Sequence, residues 1–264
     1  MHPVGFPGLG IEEFELDRVA FELFGHPVAW YGVIIAFGMV VAIAYMMWRT
    51  TQYKGLKPDD IIDFALFVIP IGIVGTRLYY VLSNLDQYHS LKDVLNIREG
   101  GLAIYGGIIA GAITSIIICL IKKIHIPCFF DMLAPAVMIA QAIGRWGNFV
   151  NAEAHGGVTD VFIRMTINGV AYHPIFLYES LWNVLGFILL NILYKRRKFD
   201  GQVVLGYFVW YGLGRGFIEG LRTDSLYIGP LRVSQVVALI SCVVAVGVLL
   251  YLWFIKKAKI YESA

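Results

Sequence analysis

The chain has 264 residues, of which 58% are hydrophobic and 15% charged, with a formal net charge of +2. Soluble domains carry nearer to about 25% charged residues, so this composition, with a mean hydropathy of +0.70, excludes an ordinary soluble domain. Apolar runs of roughly 18–22 residues recur, the length a helix needs to cross a bilayer, and the expectation is an all-α polytopic membrane protein. No basic stripe with interleaved aromatics suggests nucleic acid.

Cys119, Cys128 and Cys242 lie in or beside apolar runs, which implies no disulfide framework. Glu12, Glu13, Glu15, Asp17 and Glu22 give the start the wrong charge for a signal peptide. Residues 1–27, rich in Gly and Pro with interleaved apolar positions, read as a peripheral segment or interfacial helix. The first span is expected over 28–48, with Trp30, Tyr31 and Trp48 placed as an aromatic belt. Pro58-Asp59-Asp60 signals a helix start, and the second span covers 61–82, interrupted by Pro70 and carrying Arg77. A polar loop, 83–101, leads to the third span, 102–121, whose Gly107 and Gly111 suit close helix packing.

The fourth span is expected over 128–150. The mixed segment 151–172 contains a small hairpin from Val161 to Thr166 with Asn168-Gly169 as its turn. The fifth span is 173–194, the sixth 202–219 and the seventh 233–255. The reading is one integral-membrane domain over 1–264, with 1–27 and the insertion 151–172 extracytoplasmic and 256–264 a cytoplasmic tail. Orientation follows from lysine and arginine counts. One set of loops holds twelve, at Arg49, Lys54, Lys57, Lys122, Lys123, 195–198, Lys256, Lys257 and Lys259, against six on the other side. The positive-inside rule makes the first set cytoplasmic, so seven spans put the N-terminus outside and the C-terminus inside.

With that orientation, Arg77, Arg145, Arg215 and Glu219 end outward-running spans, while Tyr31, Tyr105, His173 and Glu179 begin inward-running ones. Six helices thus deliver polar groups to the outer half of the membrane. The densest stretch is Gly144-Arg-Trp-Gly-Asn-Phe-Val-Asn-Ala-Glu-Ala-His-Gly-Gly157. An arginine in such surroundings costs about 2.5–3.5 kcal/mol even on insertion scales, and intramembrane ionisable residues default to function. The bland alternative is a polar knot satisfying itself at a helix end. Arginine offers a planar fork suited to phosphate oxygens, so Arg145 and Arg215, with Glu153 and Glu219 as counter-charges, suggest a site for an anionic lipid headgroup. A transporter would carry its charges near the midplane with repeated halves. A metal hydrolase would need clustered ligands, and His155 and His173 stand eighteen apart with no His-Glu-x-x-His. The outer serines lack the setting of a rhomboid-like protease. Gly212-x-Gly214-x-Gly216 follows no strand and is no nucleotide loop.

The Gly144–Gly157 stretch resembles the signature of the prolipoprotein diacylglyceryl transferase family. Trp30-Tyr31-Gly32, Gly100-Gly101-Leu102-Ala103-Ile104-Tyr105-Gly106-Gly107, His173-Pro174 with Leu177-Tyr178-Glu179, and Tyr211-Gly212-Leu213-Gly214-Arg215 with Glu219 and Arg222 are similar to its other motifs. The resemblance implies transfer of the sn-1,2-diacylglyceryl group of phosphatidylglycerol to a lipobox cysteine thiol of preprolipoproteins in the bacterial cytoplasmic membrane. A thioether forms and glycerol-1-phosphate is released, with no metal or cofactor. It implies Arg145, Arg215 and Tyr105 as catalytic, and Tyr31, Asn148, Asn151, Glu153, Gly156, Tyr211, Glu219 and Arg222 as substrate-binding. Many members carry histidine where this chain has Tyr105, and tyrosine, with a reference pKa near about 10, is a poor base at neutral pH. Ile175-Phe176 replaces the more polar residues often found after the His-Pro pair. The reading from another class is a protein that binds or moves anionic lipid without covalent chemistry.

Overall fold

The computed structural model describes residues 2–53, 55–88, 90–96, 100–223, 227–228 and 231–255. Lys54, Arg98, Asp224 and the tail lysines Lys256, Lys257 and Lys259 lie outside the described residues. The elements in order are β1 His2–Phe6, β2 Ile11–Leu16, β3 Val19–Leu23, β4 His26–Ala29, α1 Trp30–Thr50, α2 Pro58–Ser83, α3 Leu91–Leu95, α4 Ile104–Lys122 and α5 Ile126–Val150. There follow β5 Met165–Ile167, β6 Val170–Tyr172, α6 Ile175–Arg196, α7 Gln202–Ile218, β7 Tyr227–Ile228, β8 Leu231–Arg232 and α8 Val233–Leu250. Among the described residues six helices are long and apolar enough to cross a membrane: α1, α2, α4, α5, α6, and α8 with its continuation to Ile255. The expected sixth span is the 17-residue α7. At about 1.5 Å per residue it reaches about 26 Å, against a hydrocarbon core of about 30 Å, before the tighter turn Glu219–Leu221 extends it.

The N-terminal segment corrects the helical alternative of the sequence reading, because residues 2–27 are built mainly of strands and not of an interfacial helix. Pro3, Pro7 and Pro27 remove backbone donors a helix would need, and Gly10 and Gly25 take positive φ at turns. β1 pairs antiparallel with β2 and with β5, giving a four-stranded sheet in the order β2-β1-β5-β6. The expected hairpin turn at Asn168-Gly169 is present with positive φ at both residues. Its first strand begins only at Met165.

Two compact units divide the chain, one of Met1–Tyr45 with Phe130–Glu262, the other of Met46–Phe129. In the first, Val4, Met165, Ile167 and Phe176 form a buried core with Phe6, Leu16 and Phe149 against it, so the sheet is fastened to the end of α5 and the start of α6. Along α5 the small residues Ala140, Gly144 and Gly147 face Gly38, Ile35 and Tyr31 of α1. A Cβ on Gly147 would lie 2.8 Å from the Tyr31 ring. Helices α6 and α7 are clasped by two indoles stacked at 4.2 Å. Trp182 Nε1 donates to Trp210 O at 3.1 Å, and Trp210 Nε1 returns the bond to Trp182 O at 3.0 Å. Gly214 is therefore a packing residue, since any Cβ there would collide with Trp182. The start of α7 is held by α5: fully buried Asp131 accepts from Gly201 N at 2.8 Å, Val203 N at 2.9 Å and Val204 N at 2.8 Å. Helix N-termini leave such donors unpaired and favour a negative charge.

In the second unit α2 and α4 cross where Gly75 meets Gly106. A Cβ on Gly75 would stand 2.7 Å from the Gly106 carbonyl, and one on Gly107 2.6 Å from Thr76 Cγ2. The close-packing reading thus holds at Gly107 but not at Gly111, where a Cβ would meet only an ordinary 3.5 Å contact with Val68, and the pinch falls at Gly106 and Gly107. Asp60 accepts from Lys57 N at 2.8 Å, closing the predicted start of α2. Arg49, read as a loop residue, is fully buried in the last turn of α1. Its Nη1 donates to Gln52 Oε1 at 2.8 Å.

Candidate active site

Within the first unit, α5 brings Arg145, α6 brings Glu179, α7 brings Tyr211 and Arg215, and the turn after α7 brings Glu219 and Arg222. Tyr211, Arg215 and Glu219 recur every four residues, which sets them on one helical face. Glu179 is the hub, 5% exposed. Its Oε1 lies 2.9 Å from Arg215 Nη1 and 3.7 Å from Arg222 Nη1, and its Oε2 lies 2.9 Å from Arg145 Nη1. Arg215 Nη1 also donates to Glu219 Oε2 at 2.9 Å, and Arg215 Nε to Tyr211 Oη at 3.3 Å. The expected pair Arg145–Arg215 is thus brought together, but onto a carboxylate they share. The buried Oε2 of Glu179 is out of hydrogen-bond alignment with Arg145 and is held by charge.

Three guanidinium groups against two carboxylates leave one formal positive charge in this cluster. Removing one member of a buried pair costs about 3–5 kcal/mol, because the partner charge stays behind. The arrangement offers planar, permanently charged donors to an oxyanion. A small cavity at the cluster is lined by Gln141, Arg145, Glu179, Tyr211 and Arg215. On another side of α5 and α6, these helices and α1 form a larger, open apolar groove of about 530 Å³ lined by Trp30, Ile34, Phe37, Ile143, Trp146 and Val184.

The other expected site residues divide into groups. Tyr31 packs on Gly147, two residues beyond Arg145. Asn148, Asn151 and Glu153 bind one another: Glu153 Oε1 accepts from Asn148 Nδ2 at 3.1 Å and from Asn151 Nδ2 at 3.3 Å. Glu153 is therefore partnered with amides, and Glu179 supplies the counter-charge that the sequence reading gave to Glu153. Ala152 and Ala154, flanking it, stand at φ of 51° and 53°, a conformation costing an L-residue about 1–2 kcal/mol. Gly156 N donates to His173 O at 3.0 Å, and Gly156 bridges to the backbone of Arg222. A Cβ there would lie 2.9 Å from Leu221 O and 2.7 Å from His173 Cβ, so glycine fixes the Arg222 backbone against the signature loop. His173 Nδ1 lies 3.3 Å from Tyr178 Oη, and His155 packs on Tyr172.

Tyr105 and Arg77 belong to the second unit. Tyr105 is in the first turn of α4, its ring 6.5 Å from that of Tyr79. Arg77 donates to five backbone carbonyls, those of Asp93, Val94, Asn96, Gly100 and Gly101, at 2.7 to 3.0 Å. Sequence reasoning grouped Glu179 with Arg145 and Arg215, which the structure brings together, without making it the hub. The signal for it was an acid inside an apolar span, which must find a cation.

Membrane-length helices that enclose a buried arginine–glutamate cluster define a polytopic membrane protein with a charged internal site. The chain belongs to the prolipoprotein diacylglyceryl transferase family, whose model matches residues 18–253. It is similar to the phosphatidylglycerol–prolipoprotein diacylglyceryl transferase of Clostridioides difficile (strain 630), at 43% identity over 245 residues, 92% of this chain and 98% of that protein. The enzyme of the same name from Finegoldia magna is 44% identical over 244 residues, 92% of this chain and 97% of the relative. Another, numbered 1 in Clostridium perfringens, is 46% identical over 243 residues, 88% and 92% of the two chains. The resemblance read from the Gly144–Gly157 stretch is borne out.

Proposed function

We propose that this chain transfers the diacylglyceryl group of phosphatidylglycerol to the lipobox cysteine of preprolipoproteins, the first step of lipoprotein maturation. The observation that carries the reading is the convergence of Arg145, Arg215 and Arg222 on Glu179 in a chain of this family. In the reaction a sulfur–carbon bond forms at the glyceryl carbon as the carbon–oxygen bond to phosphate breaks. The thiol proton ends on the released glycerol-1-phosphate, so atoms and charge balance without a cofactor. Negative charge grows on the departing phosphate oxygen, and fixed guanidinium groups stabilise that growth without reorganising. The attacking species is the thiolate, which the same cations favour. Glu179 keeps like charges together until the headgroup arrives and shares them. Arg145 and Arg215 act directly on phosphate in this reading. Tyr211, Glu219 and Arg222 hold the pair, Tyr31, Asn148, Asn151, Glu153 and Gly156 shape the signature loop around the substrate, and Tyr105 supplies a hydroxyl donor.

The charge count supports seven spans with α7 as the sixth, the N-terminus outside, and the site toward the outer leaflet of a bacterial cytoplasmic membrane. The chain then acts as one domain. The test uses the purified protein in phosphatidylglycerol vesicles with a lipobox peptide. Thioether-linked diacylglyceryl peptide and glycerol phosphate are expected in equal amounts. Headgroup binding or lipid movement without glycerol phosphate release would assign the chain to the non-covalent class instead.

A further inference from the structure

Two tight hairpins in this chain share a backbone turn and differ in the residue that leads it. Asn168-Gly169 joins β5 to β6 at φ of 51° and 77°, and Phe24-Gly25 joins β3 to β4 at φ of 51° and 75°. A two-residue turn with both φ values positive favours Asn-Gly, because asparagine tolerates the left-handed region. Phenylalanine gains nothing from that conformation, and here the residue is 93% exposed. It does not stand alone, since Phe21 and Leu23 are each 51% exposed. The register Phe21↔Val28, Glu22↔Pro27, Leu23↔His26 puts Phe21, Leu23 and Val28 on one face, with His26 beside Leu23 at the tip, and Glu22 with Pro27 on the other. Among the described residues β3 and β4 pair only with each other.

The base of this ribbon is continuous with the membrane-crossing part of the molecule. β4 ends at Ala29 and α1 begins at Trp30. Trp30 N donates to Arg18 O at 2.9 Å, and Arg18 Nη2 donates to Asn151 O at 2.8 Å, at the end of α5. Trp30 and Tyr31, next to the base, are 42% and 38% exposed, as aromatics at a membrane–water boundary are. A contiguous exposed apolar face marks a partner, and one that runs without a break into a bilayer-crossing helix meets lipid.

We propose that the β3–β4 hairpin is a membrane-surface anchor, lying in the bilayer interface beside α1 with Phe21, Leu23 and Phe24 among the acyl chains and Glu22 toward water. This inference does not depend on the proposed reaction. The test places a nitroxide on Phe24→Cys and, separately, on Asn168→Cys, in the full chain with Cys242→Ala; Cys119 and Cys128 are buried. Each protein is reconstituted in phosphatidylglycerol vesicles. The expected ratio of oxygen to water-soluble nickel-complex accessibility is several-fold higher at position 24 than at 168, although the turns are alike. Equal ratios would overturn the proposal. So would a label at 24 that is shielded only when lipobox peptide is added, which would make the face a peptide-docking surface. A second variant guards against misfolding. Phe24→Asn installs the favoured turn residue, and a nitroxide on Leu23→Cys in that background should become several-fold more accessible to the nickel complex. Unchanged shielding of that label would contradict the anchor.

Discussion

Arg77 and Arg145 are both arginines inside membrane-length helices, and their surroundings could hardly differ more. Arg77 spends its guanidinium on five backbone carbonyls between Asp93 and Gly101. A guanidinium has five donors, so Arg77 is saturated by its own unit. It ties the loop before α4 to the end of α2. Arg145 has a carboxylate shared with two further arginines, and the cluster keeps a positive charge. Charge and an apolar helix do not distinguish the two; the fate of the donors does. A buried arginine whose donors all meet carbonyls is structural, whereas one that shares a single carboxylate with like charges fits the proposed anion site.

Substitutions can break or sharpen that contrast. The largest effect is expected for Arg215→Ala, which removes a proposed transition-state donor and should lower the transfer rate by about 10²–10³-fold with the protein still folded, as read by single-turnover transfer to a lipobox peptide. Glu179→Gln follows. It adds one positive charge to the site while releasing the guanidinium groups from their common anchor, so KM for phosphatidylglycerol should fall or hold while kcat drops by about tenfold to a hundredfold. A KM that rises with kcat unchanged would mean that Glu179 contacts the substrate directly. Arg77→Lys should act differently. Lysine has three donors, and each carbonyl left unpaired costs about 1–3 kcal/mol, so thermal stability should fall while the rate per folded molecule stays near that of the parent. Tyr105→Phe has the smallest expected effect, a change within about tenfold, since a phenol is a poor proton acceptor at neutral pH. A far larger loss, measured with the same peptide, would make its hydroxyl an obligatory proton carrier.

Much of this was legible from the residues. The apolar runs located the helices to within a few residues, because crossing a bilayer demands length and apolarity that nothing else in the chain mimics. Asn168-Gly169 announced its turn through local backbone chemistry. The N-terminal sheet was not legible, since it depends on Val4 pairing with Ile167, a partner far along the chain. The alternation of Phe14 with Leu16, and of Val19, Phe21 and Leu23, has the period of two that a strand requires, a local signal that an interfacial helix does not fit. Tyr211, Arg215 and Glu219 could be put on one face from their spacing. That Arg145, Arg215 and Arg222 close on Glu179, while Glu153 turns to Asn148 and Asn151, depends on how α5, α6 and α7 pack. The Trp182–Trp210 clasp and the Asp131 cap set that packing; Asp131 stood out as an acid in an apolar run, but its partners at the start of α7 could not be read from local sequence.

The most direct test compares Arg145→Ala with Arg77→Ala in phosphatidylglycerol vesicles, measuring the rate of thioether formation per folded molecule. The account predicts a loss of about a hundredfold or more for Arg145→Ala and a rate near that of the parent for whatever Arg77→Ala protein remains folded. Normal transfer by Arg145→Ala, or an equal loss per folded molecule in both, would contradict it.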